Sequence, residues 1–198
     1  ILTIGEVLID LTQTGKDERG IPQFAANPGG APANLAVAAS KLGAKTAFIG
    51  KVGDDMQGRF LRSTLERMGI DTRGLRVDER YFTTLAFVRL TKQGERSFSF
   101  ARKPGADTQL EPEELDRELI AGSRVFHFGS LYQTAYSTGE GWDAFAAQFV
   151  QEYPQKTVIA GVLSIRMGDV VHAIEYYKDF VQIAPNDTGR YVLQYKLY

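Results

Sequence analysis

Between Leu2 and Gly69 the chain alternates twice between a short apolar run and a segment of helical spacing. That alternation limits the possible folds more than any other feature. Residues 2–9 are apolar and rich in β-branched side chains, the mark of a buried strand, and Asp10 stands at its end, where α/β sheets bind ligands. Pro32 suits a first helical turn, Leu35, Ala36, Ala39 and Leu42 recur at helical spacing, and Gly43 fits the position just past a helix end. Thr46–Gly50 reads as a second strand. Asp54 or Asp55 can cap a helix running through Leu65 and Met68, with Gly69 ending it. Strand, helix, strand, helix in this order implies an α/β fold, with a parallel sheet joined by crossover helices.

Further along, the texture changes twice. Residues 12–27 are polar, with Gly15 and Gly20, and read as a loop or excursion. Thr84–Leu90 and Arg96–Phe100 flank Thr91-Lys92-Gln93-Gly94-Glu95, which predicts a β-hairpin over about 82–101. Residues 111–121 read as helix, with Glu111, Glu113 and Glu114 in the first turn, and Arg124–Gly129 as strand. From Tyr132 onward the pattern predicts helices at Trp142–Tyr153, Thr157–Arg166, Val170–Ile183 and Asp187–Leu197. Phe149-Val150-Gln151 with Pro154 recurs 31 residues later as Phe180-Val181-Gln182 with Pro185, a period typical of helical hairpins. Gly161, Gly168, Ala173, Tyr177 and Pro185 fall at spacings similar to a tetratricopeptide repeat, although Thr157 stands where that repeat carries an aromatic.

The balance of 23 Lys and Arg against 24 Asp and Glu argues against nucleic acid or an anionic membrane as the main partner. With no cysteine there is neither a thiol nucleophile nor a Cys-based zinc site. No apolar run approaches the ~18 residues that span a bilayer, and Ile1–Gly5 lacks the features of a secretion signal. The expectation is a soluble cytoplasmic protein.

The glycines and polar residues fall into one ordered set. Gly5-Glu6-Val7-Leu8-Ile9-Asp10 comes first, then Gly29-Gly30-Ala31-Pro32-Ala33-Asn34-Leu35-Ala36, then Gly43, then Gly50-Lys51-Val52-Gly53-Asp54-Asp55. This set resembles the N-terminal half of the ribokinase-like (PfkB) carbohydrate kinases, fructokinase type, and the resemblance covers residues 1–131. It implies a ribokinase-like α/β sheet with flanking helices, incomplete here, in which segments of about 12–25 and 82–101 form a lid. Residues 132–198 would then be an all-α helical-hairpin tail. The resemblance further implies that Asp10, Gly29, Gly30 and Asn34 contact the sugar, with Phe98, Phe100 and Arg102 of the lid near it. Carboxylate and amide groups suit this role because they bond to vicinal hydroxyls. Glycine lets backbone approach a ligand. Ala31 stands where ribokinases carry a lysine, which favours a ketohexose such as fructose over ribose. ATP and Mg2+ are the implied cofactors, and a homodimer through the lid is the implied assembly.

The same resemblance places the catalytic base and the anion hole in one Gly-Ala-Gly-Asp motif at a helix start. That motif is absent, and Met167-Gly168-Asp169 is its only near miss, so no catalytic residue and no donor-site residue is assigned. Neither a Walker loop nor a Gly-x-Gly-x-x-Gly after a strand is present. His127 reads as a core residue, His172 as isolated, Lys51 as a solvated strand-end lysine and Trp142 as helix packing. Two functions remain open. One is an ATP-dependent fructokinase-type enzyme with little turnover as this chain alone. The other is a non-catalytic sugar-binding or protein-interaction module whose helical tail holds a protein partner.

Overall fold

The computed structural model of the chain describes residues 1–90, 96–128 and 157–159. These form two sheets. The larger is built on parallel pairs between β1 (Leu2–Ile4), β4 (Thr46–Gly53), β9 (Val125–Phe128) and β10 (Thr157–Ile159), with β5 (Ile70–Asp71) and β6 (Leu75–Asp78) both against β4. The smaller has the order β3 (Pro22–Gly29), β2 (Leu8–Lys16), β7 (Leu85–Leu90), β8 (Arg96–Ala101). Here β2 and β7 run parallel, while β3 and β8 are antiparallel to their neighbours.

The apolar run over residues 2–9 is therefore not one strand. Gly5 breaks it at φ 147, a backbone angle that side chains with a Cβ rarely adopt, and its N–H bonds the Ile49 carbonyl at 3.1 Å. Leu2–Ile4 stay in the large sheet, and Leu8 onward crosses into the small one. The polar segment over 12–27 is likewise a strand pair rather than a loop. Asp17 closes its turn by accepting the Arg19 and Ile21 amides at 2.9 and 2.8 Å. Its alternation of Leu11-Thr12-Gln13-Thr14 is a strand pattern whose outward face is polar.

α1 (Ala31–Lys41) and α2 (Met56–Arg67) cover the large sheet. Ala33 and Ala36 of α1, with Leu61 and Leu65 of α2, pack with Val7, Ile9, Phe48 and Val52 into one core. Full burial of each large aliphatic or aromatic side chain there contributes about 1.5–3 kcal/mol before entropy is charged against it. Gly43 ends α1 at φ 86, and the Asp55 carboxylate caps α2 by accepting the Gly58 amide at 2.7 Å. Residues 111–121 split into a short 3-10 turn at Pro112–Glu114 and α3 (Arg117–Gly122), because Asp116 caps a new start by accepting the Leu119 amide.

The helix expected from Thr157 is overturned at its first three residues. Thr157-Val158-Ile159 is a strand, paired in parallel with Val125, Phe126 and His127. Three successive β-branched side chains are stiff in a way that suits a strand. The large sheet thus takes a strand from the segment expected to be all-helical. The other predicted helices, at 142–153, 170–183 and 187–197, lie outside the described residues, as do the remainder of 157–166 and Met167-Gly168-Asp169.

Candidate functional site

The two sheets meet where β1, β2, β3 and α1 join. Gly30 lies between β3 and α1 with φ 106, and a Cβ there would overlap the Glu6 carbonyl oxygen and stand 3.1 Å from the Val7 Cα. Only glycine lets β3 turn into α1 this close to the Gly5–Val7 crossing. The first helical amide, Ala31 N–H, donates to the buried Glu6 carboxylate at 3.2 Å. Glu6 thus caps α1 from the link between β1 and β2, satisfying an amide that has no partner within the helix. Nothing in Gly5-Glu6-Val7 alone announces this role, since the pairing spans 25 residues.

Asp10 is the third residue of β2, not the end of the first strand. A Cβ on Gly29 would lie 2.7 Å from the Asp10 Cγ, so the missing side chain at Gly29 is what leaves room for the Asp10 carboxylate. Asn34, exposed, stands one turn into α1, its backbone N–H donating to the Gly30 carbonyl at 2.9 Å. Asp10, Gly29, Gly30 and Asn34 are therefore gathered around one turn, at a helix start beside a sheet crossing.

Register places the residues expected in a lid. Asp10 pairs with Asn27 on one side and Ala86 on the other, and Ala86 pairs with Phe100. Directly paired residues present their side chains on the same face. Asn27, Asp10, Ala86 and Phe100 therefore form one row, and Ala25, Thr12, Val88 and Phe98 the next. Two strand spacings separate Asp10 from Phe100, about 10 Å of backbone, with the small Ala86 between them. Phe98 and Phe100 stack with ring centres 6.2 Å apart, and the Arg102 guanidinium lies 4.9 Å from the Phe100 ring centre. Arg102 is held in turn by Asp107 at 3.3 Å. Burial pushes the Asp107 carboxyl above its ordinary range, against the Thr84 hydroxyl bond and the Arg102 charge, which pull it down. Asn27 was missed in the sequence because its place beside Asp10 depends on the β2–β3 register; its amide also reaches the Thr12 hydroxyl at 3.5 Å.

Lys51 corrects another expectation. It is fully buried rather than solvated, and its ammonium bonds Asp78 at 3.3 Å, Glu114 at 2.7 Å and the Gln109 carbonyl at 2.7 Å. It ties β4 to β6 and to the segment before α3. Arg80 first, and Lys51 after it, hold the Asp78 carboxyl far below the usual carboxylate range. His127 is buried in β9, as a core residue should be. A separate hollow of about 1110 Å³ opens near Leu2, Thr46 and Val125, at the starts of β1, β4 and β9. Ligands of open parallel sheets bind outside the opposite, carboxyl ends of the strands, so this hollow is not the candidate site.

Residues 1–158 match the pfkB family carbohydrate kinases. The chain belongs to that family. Relatives include the probable fructokinase-3 of Arabidopsis thaliana, 48% identical over 133 residues that make up 66% of this chain and 39% of the relative. The fructokinase of Xylella fastidiosa, solved with bound ATP, superposes with a TM-score of 0.71 at 33% identity, over 80% of this chain and 50% of that one. A Vibrio cholerae fructokinase double mutant, solved with fructose, ADP and potassium, superposes with a TM-score of 0.64 at 30% identity, over 79% of this chain and 48% of that one. The chain thus spans about two fifths of the length of the curated relatives it matches and about half of these solved structures.

Members of this family are kinases, so a nucleotide and a metal are implied. Among the described residues of this pfkB-family chain, no group of three or more His, Asp or Glu side chains could hold a metal ion. None of the described side chains is assigned to ATP, so no chemical step is routed through either group. No described helix is long and apolar enough to cross a membrane.

Proposed function

We propose that this chain supplies the sugar-binding part of a fructokinase-type kinase, whose substrate is a ketohexose such as fructose. The observation that carries the reading is the Asp10 carboxylate set against side-chain-free Gly29, beside the Gly30 turn that starts α1. A carboxylate accepts two hydroxyl protons from a vicinal diol, and the Asn34 amide can both donate and accept. Phe100, in the row of Asp10, offers apolar surface to the carbon skeleton. ATP would be the phosphoryl donor in this reading, and the Mg2+ bound with it would neutralise charge on the transferring group. What the residues of this chain do is bind the sugar, orient it and exclude water from it. The Gly-Ala-Gly-Asp sequence implied for the base and anion hole is absent from these 198 residues. Binding, rather than turnover, is therefore the activity expected of this chain by itself. The family resemblance also suggests a homodimer through the four-stranded sheet, which sedimentation would test.

Calorimetric titration with fructose tests the reading. The full chain is expected to give a saturable heat, and Asp10→Ala to abolish it. Unchanged affinity in Asp10→Ala would remove Asp10 from the site and sink the proposal.

A further inference from the structure

We infer that Asp107 is a positioning residue: it fixes Arg102, and through it Phe100, opposite Asp10. This rests on the hexose-binding reading above. Asp107 is 1% exposed, in a short 3-10 turn at Ala106–Thr108 that follows β8. One carboxylate oxygen accepts the Thr84 hydroxyl, and the other accepts an Arg102 N–H at 3.3 Å. Thr84 leads into β7, and its own carbonyl accepts the Ile9 amide at 3.1 Å, next to Asp10 on β2. Arg102 lies just past the end of β8. A single buried carboxylate therefore ties the entry of one strand to the exit of the next. The strand between Asp10 and Phe100 is the one it anchors.

The surroundings are built for that contact. A Cβ on Gly105 would overlap the Thr84 hydroxyl and stand 2.7 Å from an Asp107 oxygen, so this glycine makes room for the pair. The Ala106 amide donates to the Phe82 carbonyl at 2.9 Å, closing the same knot from the backbone side. Burying a carboxylate is unfavourable unless its partners compensate, and replacing it by packed apolar groups is often neutral or better for stability. What an apolar residue could not do is direct a guanidinium. Arg102 has a long, rotamer-rich stem, and its planar fork is held at one end by Asp107 while its face rests on Phe100. Sugar affinity, more than stability, should therefore feel the loss of Asp107.

The test is a double-mutant cycle on the full chain, read by fructose calorimetry. Asp107→Asn keeps an acceptor for Thr84 but removes the charge that holds Arg102. Arg102→Met removes the group held. Each single change is expected to weaken fructose binding about tenfold, the loss of one charge-assisted contact. The double variant should be no weaker than either, because both act through one group. A double variant about a hundredfold weaker, or an Asp107→Asn variant that binds like the parent, would overturn the inference. If Asp107→Asn does not fold, Thr84→Val, which removes one of the two anchors, carries the same comparison. If the parent chain binds no fructose, the hexose reading fails, and hydrogen exchange then judges the positioning role separately. Asp107→Asn should speed exchange at Phe98–Arg102 and leave Leu2–Ile4 unchanged. Equal protection at Phe98–Arg102 in variant and parent would overturn it.

Discussion

Asp55→Ala should cost this chain much more than an ordinary helix cap. The Asp55 carboxylate accepts three hydrogen bonds, from the Gly58 amide at 2.7 Å, the Thr83 amide at 2.7 Å and the Thr83 hydroxyl at 2.8 Å. The first is the α2 cap, whose loss costs about 1 kcal/mol. The second leaves a backbone N–H unpaired at a residue only 3% exposed, which adds roughly 1–3 kcal/mol. The Thr83 hydroxyl loses its acceptor but still accepts the Gly53 amide at 3.0 Å, so its share is smaller. The sum is about 3 kcal/mol. Asp116→Ala is the control. It caps α3 by accepting one amide, Leu119, at 2.9 Å, and its loss should cost about 1 kcal/mol. Urea unfolding of parent and both variants, compared at equal slope, measures the difference. If Asp55→Ala lies within about 0.5 kcal/mol of Asp116→Ala, Thr83 does not depend on Asp55 and the buried-donor argument is wrong.

Three other contacts can be probed in the same way. Lys51→Met keeps the length of the buried stem but strands Glu114 and the Gln109 carbonyl; it should lower unfolding free energy by about 3 kcal/mol, read by urea midpoint. Gly30→Ala forces a Cβ into the Glu6 carbonyl at φ 106, and should cost about 2 kcal/mol and remove the fructose heat. Asp78 has a folded pKa depressed below its unfolded value, so its contribution is full above about pH 4 and is lost as pH falls through the folded value. Asp78→Asn should therefore be less stable than the parent at pH 7, with the gap narrowing between about pH 4 and pH 2; a constant gap would contradict the ion-pair account.

The parts legible in the sequence are those set by neighbours along the chain. The Asp55 cap, Gly43 past the end of α1, the β7–β8 hairpin and the Gly29-Gly30 turn each depend on a few consecutive residues, and each stands where the spacing put it. Asp10 and Asn34 were picked out as candidates because an ordered motif carries them, and the structure brings both to the Gly29-Gly30 turn, with Asp10 within β2 and not at the end of β1.

The parts that were not legible depend on pairing across long stretches. An apolar run looks the same whether it stays in one sheet or crosses to another, and only the Ile49 carbonyl waiting at Gly5 decides that it crosses. Thr157-Val158-Ile159 carries too few residues to announce a strand, and becomes one because β9 presents an open edge in register. Lys51 reads as a solvated charge until β6 and Glu114 bring carboxylates to it. Asp107 and Asn27 acquire their places beside the site through Thr84, Arg102 and the β2 register. Local propensity and capping energies are spent within a turn or two of chain, so the sequence by itself determined the elements and the motif. Which edges pair, and which charges are thereby buried together, was decided only by the tertiary structure, because those free energies arise between residues that the chain keeps far apart.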